Sequence, residues 1–582
     1  MKKTELNSAP QPNGDEQLES YIGNFHKSLP HNQYGEVDSD AYEHFQSICE
    51  RLDDGEDVDF ESVALGTPDA AAFTNPLAGA ASETLGLSAK QVEMPPAPGI
   101  LSADSAAEMV ELYWMALLRD VPLAEFTGHD QHPKVKEAVK DIEHAFKAAL
   151  SKDSVPGALE LGLDLPQKAV VPEKYEQGAH ADFTLDISPQ TLFRCGLPDE
   201  QYGPLISQFL LRDVPYGVQR ISTKQVPYVR NKDFLTRYED WLLAQDQGTD
   251  RFGRDYGNCN NYEDQVYGRE QYYPADGTTR HVSTLRDLAR FVNRDALHQA
   301  YFNAALFLDG VGAPLDDGNP YAENKVYKRE HGFATLGGPD LLTLVSEVAS
   351  RALKVVWRQK WMVHRRCRPE VYGGLLQMQL EGPPKQATKD YGLGDVVTGS
   401  AALEQVYDKY RSYFLPMAFS AGSPNHPAYG AGHATVAGAC ITILKAWFKE
   451  EAPLHSSLPP QNMPSKEPWA LSGLETQGLL QPGQHLGDEY FDAPSTYNGH
   501  DAHLMTIGGE LNKLASNIAM GRSMGGVHWR SDNTRSLRLG EQLACEILCK
   551  RAKEYAEKPV SFSFRSFDGE LVKIDSDSIC RS

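Results

Sequence analysis

Apolar residues recurring at every third and fourth position run through most of this chain, and that rhythm constrains its fold more than any other feature. It begins in SAAEMVELYWMALLRDVPLAEF and returns in PKVKEAVKDIEHAFKAALSK, DFLTRYEDWLLAQDQG and HVSTLRDLARFVNRDALHQAYFNAALFLDG. It is strongest in DLLTLVSEVASRALKVVWRQKWMVHRR. It continues in GHATVAGACITILKAWFKEE, DAHLMTIGGELNKLASNIAMGR and HWRSDNTRSLRLGEQLACEILCKRAKEYAEK. Strand signal is sparse, and the clearest case is VSFSFRSFDGELVKI, which alternates around an Asp-Gly turn and reads as a hairpin. The expectation is a mainly α protein: two packed helical bundles with N-terminal extension helices and a few short β-hairpins.

With 582 residues the chain can hold more than one core. We expect an acidic N-terminal extension with wrapping helices over residues 1–180 and a helical-bundle domain carrying the functional site over 181–582. The first sixty or so residues are acidic and weakly patterned. DAAAFTNPLAGAASETLGLSAKQVEMPPAPG then reads as loop or wrapping arm. A Pro-rich insertion, EAPLHSSLPPQNMPSKEPWALSGLETQGLLQPGQ, separates two helices and has the length of loops that cover sites or interfaces.

A net charge of −24 argues against nucleic acid or an anionic membrane as partner. No stretch has the unbroken apolar length of a membrane span. The start, MKKTELNSAPQPNGDEQLES, lacks the apolar region of a signal peptide, so a cytoplasmic location is expected. The eight cysteines are scattered, as in a reduced protein, and Cys545 and Cys549 are spaced for helix packing and not for a disulfide.

Three segments carry the chemistry. RALKVVWRQKWMVHRRCRP holds Arg351, Lys354, Arg358, Lys360, Arg365, Arg366 and Arg368 with no acid among them. As a solvated helix face these would pair with acids elsewhere. The interleaved Trp357, Trp361, Met362 and Val363 require part of the run to be buried, and buried cations need an anion. Pro369 turns Arg368 out of helical backbone, so Lys360 and Arg368 can converge from either side of a helix end. In SPNHPAYGAGHATVAGAC, Gly432 opens a helix with His433 in its first turn, and His426 lies seven residues earlier. A helix N-terminus offers unpaired N–H groups to an anion, and His433 is placed to exchange protons with it. In GRSMGGVHWRSDNTR the Gly525-Gly526 break lets Arg522 and His528 turn to one point. Asp532, four residues past His528 and expected on the same helix face, would hold one ring nitrogen as N–H, unless it pairs with Arg535 on the surface. Together these groups make a site for a tetrahedral oxyanion.

The pattern Lys360…Arg368-Pro369, Gly432-His433 and Arg522…His528…Asp532 resembles that of the vanadium-dependent haloperoxidases and the PAP2-type acid phosphatases. The eight-residue step from Lys360 to Arg368, His426, and the stretches YGPLISQFLLRDVPYGVQ, QAYFNAALFLDG and GFATLGGPDLLTLVSEVASRALKVVW resemble the algal and cyanobacterial bromoperoxidase branch. The resemblance implies that Lys360, Arg368, Arg522 and the Gly432 amide hold vanadate. It implies His528 as axial ligand of vanadium, His433 as acid–base residue, and His426 as a tuner of proton supply or of charge near the entering halide. Trp357 and Gln359 would shape the halide pocket. The implied reaction uses hydrogen peroxide to oxidise bromide, iodide or chloride to a hypohalous-acid equivalent that halogenates small organic substrates, with neither haem nor flavin.

The usual Pro-Ser-Gly-His is Gly430-Ala431-Gly432-His433 here, so Ala431 stands where a serine hydroxyl would donate to the oxyanion. The net value of one such bond, about 0.5–1.5 kcal/mol, would weaken vanadate binding without abolishing the site. The resemblance also implies a large homo-oligomer, often a dodecamer, and structural calcium. PLDDGNPY, with Asp316 and Asp317, lacks the ligand spacing of a calcium loop. Two other readings stand beside this one. One is an acid phosphatase with His528 as nucleophile and His433 as proton donor. The other is a helical assembly protein with a residual anion site.

Overall fold

The structure is a computed structural model that describes residues 13–83, 87–127, 131–152, 187–259, 272–274, 277–322, 327–454, 478–483, 485–486, 490–491 and 493–581. The Pro-rich insertion lies mainly outside the described residues. Early helices are α1 (Ser39–Asp53), α2 (Ala103–Leu117), α3 (Pro133–Lys152), α4 (Tyr238–Gln247), α5 (Leu285–Arg294) and α6 (Gln299–Gly310). They are followed by α7 (Gly338–Arg358), α8 (Pro369–Leu380), the single turn α9 (Asp395–Thr398) and α10 (Ala401–Tyr410). The last are α11 (Gly432–Trp447), α12 (Ile507–Met524) and α13 (Arg530–Glu554). Their starts follow the sequence: Asp38, Ser102, Thr284, Ser400 and Thr506 each accept a backbone N–H three residues on.

Helix α11 is buried along its whole length apart from His433, and α7, α12 and α13 pack around it. Its approach to α13 is backbone to backbone. A Cβ on Gly438 would stand 2.0 Å from the Leu537 carbonyl oxygen, and one on Gly540 would stand 2.1 Å from that of Thr435. A second group forms from α2, α3 and α10. The expected hairpin pairs Phe562–Arg565 with Leu571–Ile574, and a third strand, Ile579–Arg581, adds to it. Among the described residues no helix is long and apolar enough to cross a membrane, and the eight cysteines are free. In PLDDGNPY, Asp316 accepts the Gly318 N–H at 2.8 Å, and burial pushes its carboxyl up to about 7. No group of three or more potential metal ligands lies together among the described residues.

The first sixty residues are better patterned than expected. Tyr42, Phe45, Ile48, Cys49 and Leu52 form the buried face of α1, and with Phe25 and Leu29 they surround Trp361 and Met362. The Ala/Gly/Pro-rich stretch crosses the end of α7. The Thr74 carbonyl takes the Trp357 indole N–H at 3.1 Å, and a Cβ on Gly79 would meet the Arg358 backbone at 2.7 Å. Residues from both parts of the chain thus build the surroundings of Lys360.

Candidate active site

The basic run divides by depth. Arg351 pairs with Glu347 at 2.8 Å, Lys354 with Glu83 and Arg358 with Asp53 at 2.9 Å, so its first half is the solvated face. Then α7 widens into a π-turn over Gln359–His364, closed by Arg365 at φ 46°. Such turns are frequent at functional sites. Lys360 is carried inward and is fully buried, donating to the carbonyls of Pro427 at 2.8 Å and Ala428 at 3.1 Å. Arg368 is extended ahead of Pro369, the first residue of α8, as the sequence requires.

Arg368 ties the two loops together. Its Nη1 donates to the Val527 carbonyl at 2.7 Å and to His528 Nε2 at 3.0 Å. Its Nη2 donates to His426 Nδ1 at 2.9 Å and its Nε to the His426 carbonyl at 3.0 Å. The indole of Trp357 stands 5.0 Å from the His426 ring, and Lys360 Nζ lies 5.7 Å from that indole. Gln359 is committed away from this face, donating to the Val92 carbonyl at 2.9 Å and lying 3.2 Å from His364.

His528 and Asp532 do meet, but not on one helix face. His528 precedes α13, and Gly526 supplies the left-handed turn before it at φ 87°. Asp532 sits in the first helical turn, where its Oδ2 accepts the Trp529 N–H at 3.0 Å and lies 2.9 Å from His528 Nδ1. The bond is therefore a capping geometry that also serves the imidazole. Because a carboxylate only accepts, Nδ1 carries the proton and Nε2 keeps its lone pair. The other oxygen of Asp532 takes Arg366 at 2.9 Å, while Arg535 donates to the Pro96 carbonyl.

His433 lies in the first turn of α11, and its Nε2 is 2.9 Å from Asp295 Oδ1. By the same argument its Nδ1 is the free base. Gly432 opens the helix, and a Cβ there would stand 3.2 Å from the Trp357 ring. Ala431 is the cap residue without a side-chain cap, and its N–H donates to Ser536 Oγ at 2.8 Å. Arg522 donates from Nη1 to Tyr256 Oη at 2.8 Å and to the Val292 carbonyl at 2.7 Å.

The cations crowd one another. Burial, then Arg368 and Arg522, hold the Lys360 ammonium well below its ordinary pKa, against the pull of Asp532. Burial and Arg522 bring Arg368 down to about 9. His528 and His426 are pushed well below the usual imidazole range by burial and these same cations. His433 is lowered by burial, with Asp295 opposing. Arg522 Nε is buried with no hydrogen-bond partner among the described residues. Three buried cations that repel one another, an orphaned donor and a helix N-terminus suit an oxyanion.

Asp295, Tyr256 and the carbonyls of Val92 and Pro96 were not anticipated. Asp295 follows α5 with no motif of its own, and no local signal in the sequence marks it. Arg366 was visible in the basic run, though nothing there paired it with Asp532.

A family model described as the VCPO second helical-bundle domain matches residues 341–558. The chain is 31% identical to a vanadium-dependent bromoperoxidase of Corallina pilulifera, the match covering 97% of this chain and 92% of that protein. It is 30% identical to the vanadium-dependent bromoperoxidase of Corallina officinalis over the same shares. The structure is similar to the homohexameric second vanadate-dependent bromoperoxidase of Ascophyllum nodosum. The TM-score is 0.75 and the identity 26%, with 99% of this chain and 89% of that chain covered.

Proposed function

Because the chain belongs to the vanadium-dependent haloperoxidases, peroxidases that act on halide, we propose that Lys360, Arg368, Arg522 and the Gly432 amide would hold vanadate, with His528 Nε2 as the nitrogen that would bind it. The observation that carries this assignment is the meeting of Arg368 with His528 Nε2 at 3.0 Å, beside Lys360, behind which Asp532 fixes the tautomer. When bound, vanadate supplies a Lewis-acidic centre at which hydrogen peroxide is activated toward halide without a change in metal oxidation state.

The chain's own groups do the rest. His433 Nδ1 takes a proton from entering peroxide and returns it, while Asp295 steadies the imidazolium. Lys360 places positive charge beside the reacting oxygen. His426, bonded to Arg368 and stacked near Trp357, adjusts the charge met by the incoming halide. Bromide is the halide of this reading, with iodide and chloride as further substrates, and hypohalous acid then halogenates small organic nucleophiles. We also propose that the chain divides into 1–180 and 181–582 and that it forms a large closed homo-oligomer. The hexamer of the Ascophyllum protein and a dodecamer are the two candidate assemblies.

The test is bromination of a phenolic dye by purified protein with bromide and hydrogen peroxide, before and after adding orthovanadate, with phosphate as competitor. Activity that needs vanadate and falls with phosphate is expected. Hydrolysis of a phosphomonoester without bromination would move the site to phosphatase chemistry.

A further inference from the structure

Arg522 is braced from the loop that follows α4. Its Nη1 commits both hydrogens inside the protein, one to the Val292 carbonyl at 2.7 Å and one to the Tyr256 hydroxyl at 2.8 Å. Nε and Nη2 make no hydrogen bond among the described residues, so they are what this guanidinium offers an anion. The Tyr256 hydroxyl therefore stands beside the donors that Arg522 leaves open.

The loop is staked on both sides of Tyr256. Asp250 Oδ1 accepts the N–H groups of Phe252 at 2.9 Å and Arg254 at 3.1 Å, and its other oxygen takes Ser420 Oγ at 2.8 Å. Beyond Tyr256, Arg294 of α5 donates to the carbonyls of Gly257 at 2.7 Å and Cys259 at 2.9 Å. The half-buried Tyr256 ring meets Phe419 at 5.6 Å and 87°. Phe419 in turn lies against the break before His528, where a Cβ on Gly525 would stand 2.8 Å from its ring. A hydroxyl so held keeps its direction, which is what an anion site asks of its donors.

A phenol hydroxyl has one hydrogen to give and lone pairs to receive. Arg522 fills a lone pair, and the hydrogen has no acceptor among the described residues. Burial raises the Tyr256 pKa, with Arg522 and Arg368 opposing, so the group is a neutral donor in the field of both cations. Accepting from a cation makes an O–H a stronger donor in turn. Across the site a hydroxyl is missing: Ala431 has none, and its N–H goes to Ser536.

We propose that the Tyr256 hydroxyl is a further binding group of the oxyanion site, receiving a hydrogen from Arg522 and giving its own to the bound anion, the duty that a serine at Ala431 would otherwise fill. The assignment rests on the proposed function for the identity of the anion.

The experiment is calorimetric titration of apo-protein with orthovanadate, in buffer that keeps the phenol neutral, with circular dichroism as the check on folding. Tyr256→Phe should bind about tenfold more weakly than wild type, the weight of one hydrogen bond to a charged group. A second variant carries 3-fluorotyrosine in place of Tyr256. Fluorine makes the O–H a better donor and the oxygen a poorer acceptor, so vanadate should bind at least as tightly as to wild type. Equal binding by Tyr256→Phe and wild type overturns the proposal. So does weakened binding by the fluorinated protein, since the hydroxyl would then only prop Arg522. If Tyr256→Phe does not fold, the fluorinated protein decides alone. A wild type that binds no vanadate overturns the functional reading instead, and titration with inorganic phosphate then decides Tyr256 by itself. A tenfold loss in Tyr256→Phe upholds it there, and equal binding, or none by wild type, sinks it.

Discussion

His528 Nδ1 stands 2.9 Å from Asp532 Oδ2, and both side chains are buried. The carboxylate has two duties at this position. It fixes the imidazole as the Nδ1–H tautomer, and it offsets the charge of Arg366 on its other oxygen. An Asn at 532 meets only one of them. If its carbonyl faces His528, its amide meets Arg366, and if its amide faces His528 the free lone pair moves to the wrong nitrogen. Asp532→Asn should weaken vanadate binding by about 10–100-fold, the usual cost of losing the partner of a ligating histidine. Titration of vanadate into apo-protein, with circular dichroism as a check on folding, reads this directly.

Asp295 acts on His433 with a sign that can be worked out. Burial lowers the pKa of that imidazole, and the carboxylate raises it by favouring the charged ring. Asp295→Asn removes the favourable charge, so the pKa falls further and the ring stays a free base to lower pH. The acid limb of log kcat/KM for hydrogen peroxide should move to lower pH, with kcat reduced because the imidazolium is less well supported. A profile that keeps its acid limb would show that another group takes the proton.

Ala431 is the cap of α11 and makes no side-chain cap bond. A serine there has an acceptor for the first-turn N–H groups and a donor for a bound oxyanion. Ala431→Ser should therefore raise helix stability by about 0.5–2 kcal/mol and tighten vanadate by several-fold. Thermal melting of the apo-protein and vanadate titration measure the two effects separately. A gain in melting alone would mean that the hydroxyl does not reach the anion.

Lys27 joins the loops that carry Arg368 and His426. Its ammonium donates to Glu370 Oε1 at 2.9 Å and to the carbonyls of Ala421 at 2.8 Å and Ser423 at 2.7 Å, while Glu370 Oε2 accepts the Ser423 N–H at 2.7 Å. Lys27→Met leaves Glu370 buried without its cation and should cost about 3–5 kcal/mol in urea unfolding. Adding Glu370→Gln should recover part of that loss. If the double variant is no more stable than the single one, the pair is not the source of the effect.

The helices around α11 were legible because each carries its own apolar rhythm and its own cap. So were Lys360, Arg368, Gly432 and Arg522, because proline, glycine and helix-end signals bracket them locally. Helix α1 has an equally regular buried face and was obscured by the acidic residues between its apolar positions. Asp295 could not be read at all. It is a single carboxylate after an ordinary helix, and its meaning depends on a contact with His433 across 138 residues of chain. The placing of Asp532 was misjudged for a related reason. Spacing alone suggests a shared helix face, whereas the chain leaves the helix just before His528 and returns by capping.

The stretch that lies over the end of α7 is bonded to residues far downstream. Gln359 reaches Val92, Tyr429 reaches Pro95, and Arg535 reaches Pro96 across 439 positions. A ribosome makes Pro96 439 residues before Arg535. The early stretch must therefore wait, its partners unmade, while the helices between them are synthesised. Arg522 and His528 also emerge after Lys360 and Arg368, so under the proposed assignment a nascent chain has no complete anion site until all four are made. On that proposed assignment, a polypeptide that stops before Arg522 would carry the lysine and the outer cover but could not hold the cofactor. If the assignment holds, the order in which the residues are strung together keeps a corrosive oxidant from being made before Lys360, Arg368, Arg522 and His528 are all in place.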